Sequence, residues 1–460
     1  MAKIENNFNH NVFFEFEKKH SLFNLKNGDT YFWDIIRNDI YLELLWEYSL
    51  IPKNRIKRSV KQLLGALLTI LKFWTSIFVK RNKYIFFTAS RNKINGNQSY
   101  DQNLGDLLTK FSKESILLEN FEENEKAWYY SNTVFNPIAA IRKICSFFLK
   151  TRDYSLLLLL LKNEYAEFNL SNHEINSIYK KFKIDLLYYS IIFRVQKPKA
   201  IFITQYGIQK GLFAAAKRLG IPVIEVQHGI IDEGHMAYSY NRNILYTPEQ
   251  YYLPDYFLSF TDFWTKDLYM PVSGIIPAGN SAFAKMAGIV KNQEILKQDG
   301  LLVASSNIFG KNLAELIIRF ARAHTNTPVY FKLHPDQFQN VRQYEDQFSS
   351  LQNVKIFTGE KSVNELLSIS KAVLAIQSTA VYEALHSDKI AIIYKKQTYK
   401  RHSHIFNFNN VYLIDDEIEL ENALKQSTDE NRFPSNIFFK EFDESIFFAF
   451  MTKLEHEHIR

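Results

Sequence analysis

A single cysteine, Cys145, stands among 460 residues. That excludes an intramolecular disulfide framework and any zinc site built on cysteine thiolates, and it suits a reducing compartment. Asp-x-Asp occurs nowhere in the chain, which removes one common carboxylate clamp for a metal-bound diphosphate. Neither GxGxxG nor the spacing of a P-loop is present. The opening MAKIENNFNHNVFFEFEKK lacks the apolar core and small-residue cleavage site of a signal peptide, so the expectation is a cytoplasmic protein.

What remains is ordinary for a folded chain: 46% hydrophobic and 23% charged residues, with enough length for two or three domains. The net charge of +7 points to an anionic partner, whether nucleic acid, an acidic membrane surface or a phosphorylated substrate. Nucleic acid is the poorest fit, because the aromatics sit inside apolar patterns instead of alternating with exposed cations. The stretch 55–83, RIKRSVKQLLGALLTILKFWTSIFVKRNK, is apolar, broken by Lys72 and flanked by Lys and Arg. It is too interrupted for a span and reads either as a basic amphipathic helix on an anionic bilayer or as an ordinary packed helix. The run LLLLLL at 156–161 reads as a buried helix.

Short apolar runs alternate with helical patterns, the signature of parallel-sheet units. Strands are expected at 83–90, 115–120, 199–205, 222–227 and 255–260, then at 300–306, 328–334, 354–359, 372–377, 389–394 and 411–414. Between the third and fourth lies an amphipathic helix stopped by Gly220, and Ser362 with Glu365 has capping-box spacing. The fold expected is therefore α/β, two Rossmann-like domains facing across a cleft, with a helical N-terminal region. The boundaries expected are 1–80 for that region, 81–265 for the first domain, 266–420 for the second and 421–460 for a C-terminal helical segment.

Ligands of open parallel sheets bind beyond the carboxyl ends of the strands, which directs attention to the polar residues there. Gln227, His228, Asp232, Glu233 and His235 crowd within nine residues after PVIEVQ. Either carboxylate suits a base or a nucleophile, and His228 or His235 a proton carrier or phosphate contact. FKLHPDQ at 331–337 places Lys332 and His334 on one strand face, with Pro335 at the first position of a helix: a cation and an imidazole at a phosphate-binding helix start. In AIQSTAVYEAL, Gln377, Ser378 and Thr379 stand where a strand gives way to a helix, and Glu383 follows one turn later, placed for a ribose. Ser305 and Ser306 end the first strand of the second domain. In the first domain Arg91, Asp101, Gln205 and His235 are the candidates for contact with an acceptor.

Two Rossmann-like halves, QHG in the first and K-x-HP and QST-x-x-x-E in the second, resemble bacterial GT-B glycosyltransferases of surface polysaccharide assembly. The similar groups are the Kdo transferases of capsule and lipopolysaccharide, the sialyl- and polysialyltransferases and the teichoic-acid glycerophosphotransferases; the resemblance covers roughly residues 200–395. It implies a CMP- or CDP-activated donor, no metal and no further cofactor. His334 and Pro335 match an HP motif that holds the donor phosphate, Ser378 and Thr379 a hydroxyl motif, and Asp232-Glu233-Gly234 an acidic-acidic-Gly motif whose first carboxylate reacts. That triplet departs from the pattern in following QHG within three residues, a context closer to the HG motif of the glycerophosphotransferases, so Asp232 and His228 stand as alternative catalytic groups. The resemblance thus implies transfer of a sugar such as Kdo or sialic acid to a glycan or lipid-linked glycan, on the inner face of the inner membrane. The alternatives are a CDP-alditol glycerophosphotransferase-like polymer synthase and a non-catalytic nucleotide-sugar-binding scaffold.

Overall fold

The computed structural model describes residues 10–46, 70–71, 73–88, 92–94, 98–120, 127–128, 130, 132–166, 168–204, 209–285, 299–306, 309–396, 399–426 and 436–457. The chain forms two compact units, Met1–Ala278 with Asp443–Arg460, and Gly279–Phe442.

Domain one is built on seven parallel strands: β1 (Tyr84–Phe87), β2 (Ser115–Asn120), β3 (Thr133–Asn136), β4 (Ala200–Thr204), β5 (Val223–Val226), β6 (Tyr256–Leu258) and β7 (Gly274–Ile276). Their order across the sheet is β7-β6-β5-β4-β1-β2-β3, so the chain starts at the centre, runs to one edge, returns and runs to the other. YIFF, AIFIT and VIEV are buried at every position, which is what a parallel sheet covered on both faces demands. Five of these strands stand where the apolar runs predict them. The edge strands β3 and β7 were not expected: each offers only three or four residues, too few for a run to stand out.

Helices α1 (His10–Lys19) and α2 (Trp33–Trp46) precede the sheet; α3 (Ile138–Cys145), α4 (Ser155–Glu164) and α5 (Asn172–Gln196) lie between β3 and β4, and α6 (Lys210–Arg218) between β4 and β5. The 25 residues of α5 begin with a capping box in which Ser171 and Glu174 satisfy each other's backbone. It lies so close to α6 that a Cβ on Gly211 would come within 2.5 Å of Asp185 Cβ and 2.6 Å of Phe182 O, which reserves that position for glycine. In α4 only Leu161 is fully buried, while Leu156 and Leu159 are exposed. The expectation that the leucine run is interior is therefore corrected: a run with no polar face leaves apolar side chains outside when the helix lies on a surface.

Of the expected interfacial helix at 55–83, residues 55–69 and 72 lie outside the described residues. In the described part Phe73 and Ile77 are buried, with Phe73 stacked on Tyr188 of α5, while Phe78 and Val79 face out. No helix among the described residues is long and apolar enough to cross a membrane.

Domain two holds six parallel strands: β8 (Gly300–Ala304), β9 (Val329–Lys332), β10 (Val354–Phe357), β11 (Ser370–Ala375), β12 (Ile390–Tyr394) and β13 (Val411–Ile414), all close to the expected runs. Their order is β10-β9-β8-β11-β12-β13, the same winding from the centre outwards. Helices α7 (Gly310–Ala323) and α8 (Ala380–His386) follow β8 and β11. The boundary expected at 265/266 moves to 278/279, because β7 pairs with β6 in the first sheet. The expected segment 421–460 is also divided. Helix α9 (Glu444–Glu457) belongs to domain one, where Asp443 N–H donates to Ala278 O at 2.7 Å, Phe450 packs on Tyr256 and Lys199 pairs with Glu455 at 3.0 Å.

Candidate active site

In domain two β8 and β11 lie side by side. With right-handed crossovers the segments leaving them go to opposite faces, and an open sheet receives a ligand at such a switch point. The residues delivered there are Ser305 and Ser306 after β8, and Gln377, Ser378 and Thr379 after β11.

Gln337, 4% exposed, joins the ends of β8 and β9. Its Oε1 accepts from Ser305 Oγ at 2.9 Å and from His334 N–H at 3.1 Å, and its Nε2 donates to Tyr344 OH at 2.7 Å. A Cβ on Gly310, the first residue of α7, would lie 2.1 Å from Gln337 Nε2, so glycine is what lets these polar groups meet. Ser306 Oγ accepts from Phe309 N–H at 3.0 Å, closing the turn into α7.

His334 caps the turn Pro335–Asn340, its Nδ1 accepting from Asp336 N–H at 3.3 Å. With Nδ1 an acceptor, the ring hydrogen of the neutral imidazole sits on Nε2, which becomes a donor suited to an anion. Pro335 takes the first position of the turn, as its fixed φ predicts.

Lys332 does not join His334. Its Nζ donates to Thr358 O beyond β10 and lies 5.5 Å over the Phe338 ring, on the side of β9 away from β8. Burial lowers its pKa, with Glu360 and Glu365 acting the other way.

At the end of β11, Ser378 Oγ accepts from Ala380 N–H at 3.2 Å, and Thr379 O accepts from the N–H groups of Tyr382 and Glu383 at 2.9 and 3.0 Å. Gln377, Ser378 and Thr379 are all partly exposed. Glu383 is 7% exposed, and burial raises its carboxyl to about 7 against the opposing hydrogen bond with the Thr379 side chain.

In domain one Gln227, which follows β5, is fully buried. It ties strand ends together: Oε1 accepts from Phe260 N–H at 2.8 Å and Nε2 donates to Gly229 O at 2.9 Å. His228 is partly exposed, and its Nδ1 lies 3.5 Å from Tyr238 OH; Tyr238 in turn donates to Glu225, a carboxylate buried in the middle of β5. Once the phenol hydrogen is committed to Glu225, the phenol oxygen accepts from His228 Nδ1–H. In that arrangement the lone pair of His228 lies on Nε2, while the other tautomer reverses the roles across the same 3.5 Å.

Asp232 is 8% exposed and its carbonyl accepts from His235 N–H at 3.0 Å; the His235 ring stands edge-on to Tyr238, 4.7 Å between centroids. Glu233 is exposed and pairs with His10 at 3.3 Å. Asp101, expected to meet an acceptor, lies inside the fold instead. One carboxylate oxygen accepts from Asn103 and Leu104 N–H at 2.9 and 3.0 Å, and the other bonds Thr88 Oγ1. Arg91 and Gln205 lie outside the described residues.

The helical N-terminal region braces this loop. Arg37, fully buried, donates from Nη2 to Glu17 Oε2 at 3.1 Å and from Nη1 to Met236 O at 2.6 Å. Asp34 accepts from Lys210 Nζ at 2.8 Å, Tyr240 OH at 2.6 Å and Tyr252 N–H at 2.7 Å. The expectations included none of Glu225, Tyr238, Gln337 or Arg37 as site residues. The one signal for them in the sequence is a carboxylate inside the apolar run VIEV, a residue that is almost never buried without a partner. Among the described residues no three His, Cys, Asp or Glu side chains converge as metal ligands.

No protein-family model matches the chain, and no curated protein matches its sequence. Solved structures do match in fold. UDP-GlcNAc 2-epimerase of Methanocaldococcus jannaschii, in complex with UDP-GlcNAc and UDP, superposes with a TM-score of 0.50 at 14% identity over 80% of this chain and 99% of that one. A Listeria monocytogenes protein assigned as a UDP-N-acetylglucosamine 2-epimerase gives 0.50 at 11% identity over 82% and 98%. The shared architecture is the GT-B type, two Rossmann-like domains in one chain.

Proposed function

We propose that the chain is a glycosyltransferase that takes its sugar from a nucleotide-activated donor, with the donor phosphate held in domain two and the acceptor hydroxyl activated by domain one. The observation that carries this reading is the set of hydroxyls and the imidazole at one strand-end cluster: Ser305, Ser306, Ser378, Thr379 and His334 at the ends of β8, β11 and β9. Nucleotide-sugar chemistry is supported by the shared fold, since the Methanocaldococcus enzyme was solved with UDP-GlcNAc and UDP.

In the transfer, the acceptor oxygen bonds to the anomeric carbon as its proton passes to His228 Nε2. The bond from that carbon to the phosphate oxygen breaks, and the nucleotide departs with the electron pair. His334 Nε2–H and the serine and threonine hydroxyls meet the charge that develops there. The tautomer with its lone pair on Nε2 favours His228 over Asp232 as the base.

The finer reading is a CMP-linked donor such as Kdo or sialic acid and a capsule or lipopolysaccharide acceptor, which rests on the HP and QST motifs. The fold likeness favours testing a UDP-sugar beside it. Incubation with CMP-sugars, CDP-alditols and UDP-sugars separates these readings by which nucleotide is released. His334→Ala is expected to abolish release with the thermal melt unchanged; release at the original rate contradicts the assignment.

A further inference from the structure

The stretch 143–162 in domain one carries apolar side chains on the outside. Ile144, Phe147, Phe148, Leu156 and Leu159 all face solvent, with Phe147 81%, Phe148 82% and Leu156 82% exposed. Hydrogen bonds to α5 bring them together. Lys180 Nζ donates to Ser146 O at 3.3 Å, Arg152 N–H to Asn176 Oδ1 at 2.8 Å and Tyr154 N–H to Asn172 Oδ1 at 2.9 Å. The chain from 146 to 154 therefore runs beside α5 towards its N-terminus, over about 12 Å of helix. The exposed side chains leave from the two ends of that short run, on the outside of domain one.

The same stretch holds Lys143, Lys150, Arg152 and Lys162 against a single carboxylate, Asp153. All four cations are exposed, and none makes an ion pair among the described residues. Arg142 differs: both its Nε and Nη2 are 2.6 Å from the Asp185 carboxylate, so it is spent within the fold.

We propose that this face docks on an anionic bilayer surface, with Phe147, Phe148 and Leu156 entering the boundary between headgroups and acyl chains and the four cations lying among the anionic headgroups. Contiguous exposed apolar groups mark an interaction site, and aromatic and leucine side chains framed by Lys and Arg fit a lipid interface. A second copy is the poorer occupant, since a self-complementary contact would set these cations against their own copies with too little acid to offset them. The surface is separate from the strand-end residues of the transfer chemistry and does not depend on that reading.

The test is co-sedimentation of the full chain with vesicles of phosphatidylcholine alone and of phosphatidylcholine mixed with phosphatidylglycerol. Binding is expected to the mixed vesicles only and to weaken as salt is raised. Phe147→Ser with Phe148→Ser is expected to lower partitioning by about tenfold or more, and Lys143→Glu with Lys150→Glu and Arg152→Glu to remove its salt-sensitive part. These positions are on the surface, so the thermal melt and nucleotide binding stay unchanged. The proposal is overturned if the chain ignores mixed vesicles or if both variants bind as the parent does, which would place the contact elsewhere. It is equally overturned if the chain self-associates in solution through this patch and the phenylalanine variant abolishes that instead.

Discussion

The two sheets share one winding and differ in what they do with the polar residues at their strand ends. In domain one these residues are largely consumed by the fold: Gln227 bridges strand ends, Asp101 caps a turn, and Glu225 is buried behind Tyr238. In domain two Gln337 takes the buried share of the internal bonding, while His334, Gln377, Ser378 and Thr379 stay partly exposed. One sheet end thus spends most of its polar side chains within the fold, and the other leaves them partly exposed. Scaffold similarity says nothing of this division, which lies in the hydrogen bonds of individual side chains.

Substitutions that break the comparison should separate the two ends. After the loss expected of His334→Ala, the next largest effect is at the imidazole of domain one: His228→Asn removes the base and lowers turnover by about 10²–10⁴-fold, measured as nucleotide released per enzyme. Ser378→Ala, on the domain-two end, removes one of several donors and should cost less, about tenfold, read as a weaker Kd for the donor nucleotide. Tyr238→Phe leaves His228 in place but cuts it from Glu225. A modest loss in kcat is expected; an unchanged kcat would mean that the imidazole is oriented by another group.

The last effect concerns stability in domain two and leaves turnover aside. Burial holds Glu383 at about 7 against an ordinary 4.5, so the folded chain keeps a proton that the unfolded chain releases between those values. The stability this group contributes is complete below 4.5 and falls away as the pH rises to about 7. Glu383→Gln should remove that slope and stabilise the protein by up to about 3 kcal/mol above neutral pH, seen as a higher urea midpoint there and none in acid.

The scaffold was far more legible in the sequence than the site. Strands such as AIFIT and IAIIY are continuous apolar runs because both their faces are covered, and the eleven expected runs all became strands. The edge strands TVFN and GII were missed because short, half-covered strands need no such run. The strand-end rule located Ser305, His334 and Ser378, since the carboxyl end of a run is a local feature. What could not be read is partnership across sequence distance: Lys332 turns to Thr358, Asp101 to Thr88, and Glu225 to Tyr238. Arg37 reaches Met236, 199 residues away, through a contact that only the folded chain creates.

The division of labour is tested most directly by calorimetric binding of the donor nucleotide to His334→Ala and to His228→Asn, beside turnover of each. The account predicts that His334→Ala loses nucleotide binding, whereas His228→Asn binds it with the parental Kd and fails to turn it over. Normal binding by His334→Ala, or loss of binding by His228→Asn, would contradict it.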